Sequence, residues 1–555
     1  MLRTLLALSL LVGMSEAHGG AYRPPPRGRP GDPFTPTGGR AGPMTATSRG
    51  GNKLPPWEAW WAWNREHYIQ TRQRMEKRNV VTGRRLGKAA PLFNRKAFRE
   101  NVLLPEMLKA LHDSDEEVRT AAAVALGKFR VRVGVESLKV LYAKDPVKQV
   151  REAALLGLLV ARDPELKEFF HEQIEDRKVE RRIRGLSVLA LGFLKDSEYL
   201  RGFLDKKQAK IKGSKADVRE IRACATLALG FTSSTDVAIP LVQAAMDKYE
   251  EEEVRGYAPC SLGRLKAEMA LPELLRLVKR SDQERSARYG AAISMGWLVK
   301  RDNEAVIDMM GRKATRDKDP GVRTLLAIAL GRIGGDRAAS YLVGGLNGMD
   351  QRERGFYYLG MGISRSEDAG DIMLRQFPKL KSNLDRAVCA LALGLANHRK
   401  AAPLLLEELE KGNPVFVPHG MVALGLMNEK KAIPLVREQL EEKDPVVIRE
   451  GALALALLQG HAAMPKLIEL LKESKTTLVR GSIAFSLGYV GTDKALDPLL
   501  EIYRDKSRPG ELRAIALVAL GRIGDPERIP LLSQLAYALN PFVGTDAVAE
   551  ALTIL

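Results

Sequence analysis

A hydrophobic pattern punctuated by one arginine and one glycine recurs along most of the chain. In VRTAAAVALGKF (118–129) and VRTLLAIALGRI (322–333), apolar residues stand at helical spacing and a glycine follows the arginine by eight positions. Aligned on this pattern, the chain holds thirteen units, 31 to 38 residues apart. Their arginine column reads Arg119, Arg151, Arg184, Arg222, Arg255, Arg288, Arg323, Arg354, Arg386, Val417, Arg449, Arg480 and Arg513. Such a period predicts a tandem array of one structural unit.

Each unit resolves into two helices. A Leu-rich segment such as MPKLIELLKES (464–474) comes first, and the Ala/Leu segment with the glycine follows it. An aspartate often precedes the second helix, as at Asp319, where it suits an N-cap. Because a two-helix unit cannot bury its own core, neighbouring units must stack. The pattern predicts an all-α, α-α superhelix over 101–555, with a partial fourteenth unit at 546–555.

This pattern resembles HEAT repeats, specifically the short subtype of about 31 residues found in phycobilisome-lyase-like proteins. In HEAT proteins the Asp before the second helix and the Arg within it commonly form a ladder between repeats. The resemblance therefore implies a structural ladder that contains Asp115 with Arg119 and Asp319 with Arg323. It implies a fold, and it says little about function.

The N-terminal residues indicate export. Residues 1–17, MLRTLLALSLLVGMSEA, combine Arg3, a short apolar run and small residues before a cleavage point, which is typical of a secretory signal peptide. Residues 18–56 are rich in Pro, Gly and Arg, so we expect a disordered basic linker. The expected location is the periplasm or the outside of the cell.

Residues 57–100 form the third predicted segment, an aromatic helical cap with a basic connector. Trp57, Trp60, Trp61, Asn64 and Tyr68 share one helical face. We interpret this face as a cap on the first repeat, and a ligand or carbohydrate platform is the alternative. The AHGGAYR start, the WEAWWAWNREHY segment and the array together resemble secreted HEAT-repeat proteins of planctomycete-type bacteria, which have no activity assigned.

Charge is concentrated at the N-terminal end. The chain has 87 Lys and Arg against 68 Asp and Glu, a net charge of +19. Residues 18–100 hold 17 of the basic and 5 of the acidic residues. A polybasic arm favours anionic lipids or envelope polymers, and no specific nucleic acid is expected of an exported protein. A second candidate polyanion site is the lysine loop of the longest repeat, which contains Lys206, Lys207, Lys210, Lys212 and Lys215.

Catalytic patterns are missing from the sequence. The three cysteines fall in separate Ala/Leu helices, and the seven histidines include no His-x-His or HExxH pair. Deoxyhypusine hydroxylase, a HEAT-fold iron enzyme, carries several His-Glu pairs, whereas this chain has only His171-Glu172. We therefore expect no catalytic, cofactor or metal site. Lyase-like chemistry is an alternative by fold analogy alone.

The predicted function is a non-catalytic scaffold that binds an unidentified protein through the concave face of the solenoid. The residue nine positions after each arginine is expected to line that face, and further aromatic residues such as Tyr358 cluster in the middle of the array. Trp, Tyr and Arg near the centre of a groove are the types that anchor interfaces. The candidate partner-binding residues are Arg264, Trp297, Arg332 and Tyr358. We expect a monomer. The alternative is a polyanion or envelope-polymer binder that acts through the basic arm.

Overall fold

The computed structural model describes residues 56–75, 94–205, 211–441, 444–474, 476–490, 493–537, 539–541 and 543–552. Within these ranges the chain is helical throughout and contains no strand. The predicted all-α solenoid is therefore confirmed. The predicted signal peptide (1–17) and nearly all of the predicted linker (18–56) lie outside the described residues.

The second helix of every unit lies on the inside of the solenoid, and we call these the inner helices. They are rich in Ala, Leu and Gly and are buried along most of their length. The thirteen inner helices of the described chain are Glu116–Phe129, Lys148–Ala161, Arg181–Phe193, Lys215–Leu229, Glu252–Arg264, Arg285–Leu298, Pro320–Ile333, Gln351–Ser364, Asn383–Ala396, Val417–Met427, Pro445–Gln459, Thr477–Val490 and Gly510–Gly524.

The first helix of every unit lies outside and packs one Leu-rich face inward. We call these the outer helices. They are Leu104–Ala110, Arg132–Lys144, Lys167–Glu175, Ser197–Arg201, Ala238–Met246, Leu271–Lys279, Glu304–Arg316, Asp336–Gly345, Glu367–Gln376, Ala402–Glu410, Ile433–Gln439, Met464–Glu473 and Leu496–Arg504. The first of them is preceded by Arg95–Phe98 and a π-helical turn, Arg99–Leu103.

Adjacent inner helices approach closely at the repeated glycine. A Cβ atom placed on Gly331 would lie 2.5 Å from the carbonyl oxygen of Gly360 on the next inner helix, and one on Gly192 would lie 2.5 Å from that of Ala228. A methyl group does not fit at such a distance. The glycine column therefore sets the spacing between repeats.

The last repeat packs on the first, so the solenoid closes into a ring. A Cβ on Gly521 would lie 2.5 Å from the Cβ of Ala125, and one on Gly524 would lie 2.4 Å from the Phe129 ring. This is the same glycine-to-small-residue contact that joins the other neighbours. Thirteen repeats complete a circle when each turns by about 28°, a step within the small rotations of solenoids.

The arginine column joins successive repeats. Arg119 donates a hydrogen bond to Asp145 of the following unit at 2.8 Å, and Arg222 donates to Glu250 at 2.6 Å. The same kind of ion pair joins Arg288 to Asp317, Arg323 to Glu353, Arg354 to Asp385, Arg386 to Glu408, and Arg513 to Asp113. Several of these arginines also donate to main-chain carbonyls at the end of the preceding outer helix, which stabilises that C-terminus.

Asp115 and Asp319, which were expected to pair with arginines of the column, act as N-caps instead. Asp115 accepts hydrogen bonds from the main-chain N–H groups of its own inner helix, including that of Glu117 at 2.8 Å. Asp319 does the same for Gly321 at 2.9 Å. Both are N-caps, and the acid that pairs with the arginine comes from the next repeat. The sequence pattern did not distinguish the two, because, apart from Glu408, both kinds of acid lie within three residues of the start of an inner helix.

The predicted fourteenth unit does not continue the stack. Its position is taken by the first repeat, and helix Asp546–Leu552 instead turns inward against the inner helices of the third and fourth repeats. A Cβ on Gly185 would lie 2.7 Å from that of Ala547, so this contact also depends on a glycine.

One apolar stretch of the described residues, Pro445–Glu473, has the length and composition of a membrane-spanning helix, with mean hydropathy 1.2. It is the inner and outer helix of consecutive repeats, joined at Gly460, where φ is +58°. Because 72% of its apolar window is buried against the rest of the ring, core packing accounts for its composition.

Candidate functional site

The interior of the ring is filled by two segments of the same chain. One is helix Trp57–Ile69, which we call the aromatic helix, and the other is residues 531–552, which we call the C-terminal strap. The strap contains the short helices Leu531–Ala536 and Asp546–Leu552. Segments of the chain itself therefore lie against the concave face that was predicted to bind a partner.

The aromatic helix does not cap the first repeat. Its Trp57 lies on Gly355 of the eighth inner helix, where a Cβ would come within 2.2 Å of the indole, and 5.2 Å from the ring of His419. Trp60 packs edge-on against Phe356 at 6.3 Å. The predicted aromatic face is real, since Trp57, Trp60 and Trp61 are all at most 5% exposed. Its target is the middle of the array, which lies within reach only because the ring closes.

Charged and polar groups anchor the aromatic helix at its C-terminal end. Arg65 forms a 2.7 Å ion pair with Glu450, which also bonds to Arg449. Arg72, beyond the helix, donates to the main-chain carbonyls of Arg522, Asp525 and Glu527 at 2.6 to 2.8 Å. These bonds satisfy carbonyls at the end of the last inner helix.

The C-terminal strap is bound largely through its main chain. Arg264 donates to the carbonyls of Gln534 and Leu535, both at 2.9 Å, and to that of Tyr537. Its guanidinium also stacks on Phe231, 4.4 Å from the ring centroid. The three carbonyls lie at the C-terminal end of helix Leu531–Ala536, where a cation is favoured by the helix dipole. Further along, the Asn540 side chain donates to the Ser286 carbonyl at 2.9 Å.

Three of the four predicted partner-binding residues meet in this interior. Arg332 donates to the Tyr68 hydroxyl at 3.0 Å and stacks on the ring of Tyr537 at 4.7 Å. Trp297 packs on the same tyrosine at 5.3 Å. Together with Arg264, these residues contact segments of their own chain. The fourth, Tyr358, is only 2% exposed and belongs to the packing between helices, so it does not line the interior as expected.

Sequence reasoning missed the residues that complete this site, among them His67, Glu450 and Tyr537. His67 stacks on Tyr537 with ring centroids 3.7 Å apart, and its Nε2–H donates to the Ser533 carbonyl at 3.2 Å. Glu450, like Glu152, is a carboxylate directly after an arginine of the repeat column in a largely apolar helix. That position was the available signal for a buried ion pair.

The interior shifts the pKa of several groups. Burial, together with Arg264 and Arg332, lowers the pKa of His67 to about 4. Burial also lowers the pKa of Arg264 to about 10. Burial alone would raise the pKa of Glu450, but the guanidinium groups of Arg65 and Arg449 outweigh it and lower that pKa to about 2. The interior therefore favours neutral His67 and ionised Glu450.

A cavity of about 40 Å³ lies at the seam where the ring closes. Lys128, Arg130, Arg522, Asp525 and Glu527 line it together with apolar side chains. Burial lowers the pKa of Lys128 to about 8. The volume suits a few water molecules and is far below the ~300 Å³ at the lower end of small-molecule sites.

The remaining predicted positions lie elsewhere. Lys212 and Lys215 are exposed at the start of the fourth inner helix, while Lys206, Lys207 and Lys210 lie outside the described residues. Among the described residues, no group of three or more His, Cys, Asp or Glu side chains is arranged to hold a metal ion. The three cysteines are buried with free thiols.

Comparison with known families identifies the repeat. The family model for HEAT repeats matches residues 89–159, 419–487 and 464–553. These three segments match HEAT repeats, and the units between them share the same two-helix architecture. The matched segments include the first repeat and the last, which meet at the seam of the HEAT ring.

Several solved structures are similar to this chain at low sequence identity. Human deoxyhypusine hydroxylase is 21% identical over 47% of this chain and 98% of its own, with a TM-score of 0.24. The CpcE and CpcF complex of phycocyanin lyase from Nostoc is 20% identical over 45% and 93%, with a TM-score of 0.25. Kap95p, in a structure with RanGDP, is 11% identical over 77% and 67%, with a TM-score of 0.36. The likeness concerns the fold alone, and no curated protein matches the chain.

Proposed function

We propose that this protein is a non-catalytic protein-interaction scaffold whose binding surface is the inner face of the HEAT ring. The observation that carries the proposal is the way Arg264 holds the C-terminal strap. Its guanidinium donates to three main-chain carbonyls of the strap, at residues 534, 535 and 537, and stacks on the ring of Phe231. Main-chain carbonyls are common to every protein segment, so this arginine is suited to hold a peptide whatever its side chains.

Other inner-face residues support the same function. Trp297 and Arg332 surround Tyr537, and Arg332 also reaches Tyr68. Arg, Trp and Tyr in desolvated central positions are the residue types that dominate protein interfaces. The HEAT ring thus binds two protein segments already, and a partner would use the same groups.

We further propose that the scaffold works outside the cytoplasm, as a monomer, in the periplasm or after secretion. Support comes from the sequence of residues 1–17, with its short apolar run and small residues before Ala17. A second candidate function is a polyanion or envelope-polymer binder. The observation in its favour is the concentration of positive charge in residues 18–100.

The test is capture from native envelope extract by the chain that starts at His18, followed by hydrogen exchange on the purified complex. A discrete protein that is retained after deletion of residues 18–55, and that protects inner helices such as Glu252–Arg264, is the expected result. Protection confined to outer helices would contradict binding inside the ring. Recovery of lipid or polysaccharide alone, lost with the arm or at high salt, would establish the second candidate instead.

A further inference from the structure

We infer that the aromatic helix is a displaceable occupant of the ring, and that the scaffold's partner is an amphipathic helix with the same kind of aromatic face. This inference rests on the proposed function. It adds what the partner must look like and why the free protein does not bind every exposed peptide.

The inner surface that the aromatic helix covers, which we call its seat, determines which residues a partner needs. Two large aromatic side chains three residues apart fit beside Gly355 and Phe356, as Trp57 and Trp60 do. A cation two turns further along meets the buried carboxylate of Glu450 at 2.7 Å, as Arg65 does. A hydrogen-bonding aromatic one turn beyond can accept from Arg332. The seat thus selects a helix by spacing as well as by residue type.

The aromatic helix is an imperfect occupant of this seat. Several buried polar atoms in and just after it have no hydrogen-bond partner among the described residues. They are Trp57 Nε1, Glu58 Oε2, Arg65 Nε, Glu66 Oε1 and Thr71 Oγ1. Burial without a hydrogen-bond partner is unfavourable for each of these atoms. Burial raises the pKa of Glu58, and a hydrogen bond from its own main chain offsets only part of that effect. The segment is therefore held less tightly than its apolar contacts alone would allow, and a better-matched helix could replace it.

The aromatic helix can also leave without opening the ring. Closure depends on Gly521 against Ala125 and on the pair of Arg513 with Asp113, whereas the aromatic helix reaches the last inner helix through Glu66, which pairs with Arg522 at 3.5 Å. The chain before residue 76 and the chain after residue 93 are bound to the same end of the last inner helix. Arg72 donates to the Asp525 carbonyl, and Arg95 donates to the Ile523 carbonyl. The aromatic helix thus packs inside the ring and is not one of the helices that form it.

The test measures binding in trans of a fluorescent peptide with the sequence of residues 55–75. The full chain from His18 is compared as wild type, Trp60→Ala and Trp63→Ala. Trp60 is 4% exposed against the ring, whereas Trp63 lies on the other, half-buried side of the helix. We expect the peptide to bind Trp60→Ala at least about tenfold more tightly than wild type, with Trp63→Ala unchanged.

Two controls fix the site and the fold. Adding Gly355→Val to the Trp60→Ala chain fills the space under the first tryptophan and should abolish peptide binding, while circular dichroism and melting verify that each variant is folded. Hydrogen exchange of wild type should show residues 57–69 opening at least tenfold faster than inner helix Gln351–Ser364.

The contrary outcomes are distinct. Equal exchange in both helices, or no peptide binding to folded Trp60→Ala, would overturn the inference and leave the capture result of the proposed function standing. Peptide binding that survives Gly355→Val would place it outside this seat and would also overturn the inference. Light scattering could instead show that the wild-type or the Trp60→Ala chain is a dimer. If the two chains of that dimer exchange their aromatic helices, the occupant of the seat would be a second copy of this chain and not a different protein.

Discussion

Arg513 of the last repeat donates two hydrogen bonds to the carboxylate of Asp113 in the first repeat, across 400 residues of sequence. Both side chains are nearly fully buried. The same arginine donates to the Tyr503 carbonyl at 2.9 Å, as other arginines of the column do within their own repeats. The seam is therefore an ordinary joint of the array, held by the same kind of ion pair that joins Arg119 to Asp145.

Removing this arginine should open the seam. Arg513→Met leaves the Asp113 carboxylate buried without its partner, which typically costs about 3–5 kcal/mol. We expect a lower free energy of unfolding in urea and a larger radius of gyration by small-angle scattering. Arg354→Met is the matched control, because its ion pair with Asp385 lies within the array and is more exposed. An equal expansion in both variants would show that the seam is not specially dependent on Arg513.

The glycine column should not tolerate a side chain. Gly331→Leu places a Cβ 2.5 Å from the Gly360 carbonyl oxygen, so the two inner helices must move apart. Overpacking of this kind costs about 1–3 kcal/mol or more. The control is Gly344→Ala in an outer helix, where a Cβ meets nothing within 4 Å and helix propensity favours alanine. If thermal melting were unchanged by Gly331→Leu, close packing at the glycine would not set the repeat spacing.

Acid should loosen the aromatic helix through His67. Its pKa falls from the usual ~6.5 to about 4 in the folded protein, so the neutral ring is favoured when folded. Stability from this group is present above pH 6.5 and is lost as the pH falls toward 4. We expect tryptophan fluorescence or hydrogen exchange to report release of residues 57–69 in that window. His67→Phe keeps the stack on Tyr537 and should remove the transition, whereas an unaltered transition would assign it to another group.

Lys128 at the seam should destabilise the protein at neutral pH. Its pKa is lowered to about 8 by burial, from about 10.5 in the unfolded chain. The folded state therefore holds fewer protons between pH 8 and 10.5, and the contribution of this group becomes more favourable as the pH rises through that range. We expect Lys128→Met to raise the unfolding free energy by about 1–3 kcal/mol at pH 7, with a smaller gain at pH 10. A gain that does not change with pH would point to packing alone.

The repeat, the two-helix unit and the all-α fold could be predicted from the sequence because each depends on residues close together in the chain. Helical spacing of Ala and Leu, an N-cap aspartate and a glycine eight residues after most of the column arginines are local features. The chemistry of the interior was partly visible as well. Arg264, Trp297 and Arg332 were selected by residue type and column position, and all three lie in the interior of the ring, against the aromatic helix or the C-terminal strap.

Closure of the ring, and with it the occupant of that surface, was decided only by the tertiary structure. A small rotation at each joint adds up over thirteen repeats, and no local pattern records the sum. Once the sum reaches a full circle, the first repeat takes the place of a fourteenth, and both chain ends have access to the interior. Arg65 and Glu450 then meet although 385 residues separate them. The sequence by itself determined the unit, and long-range geometry determined which surface remained free.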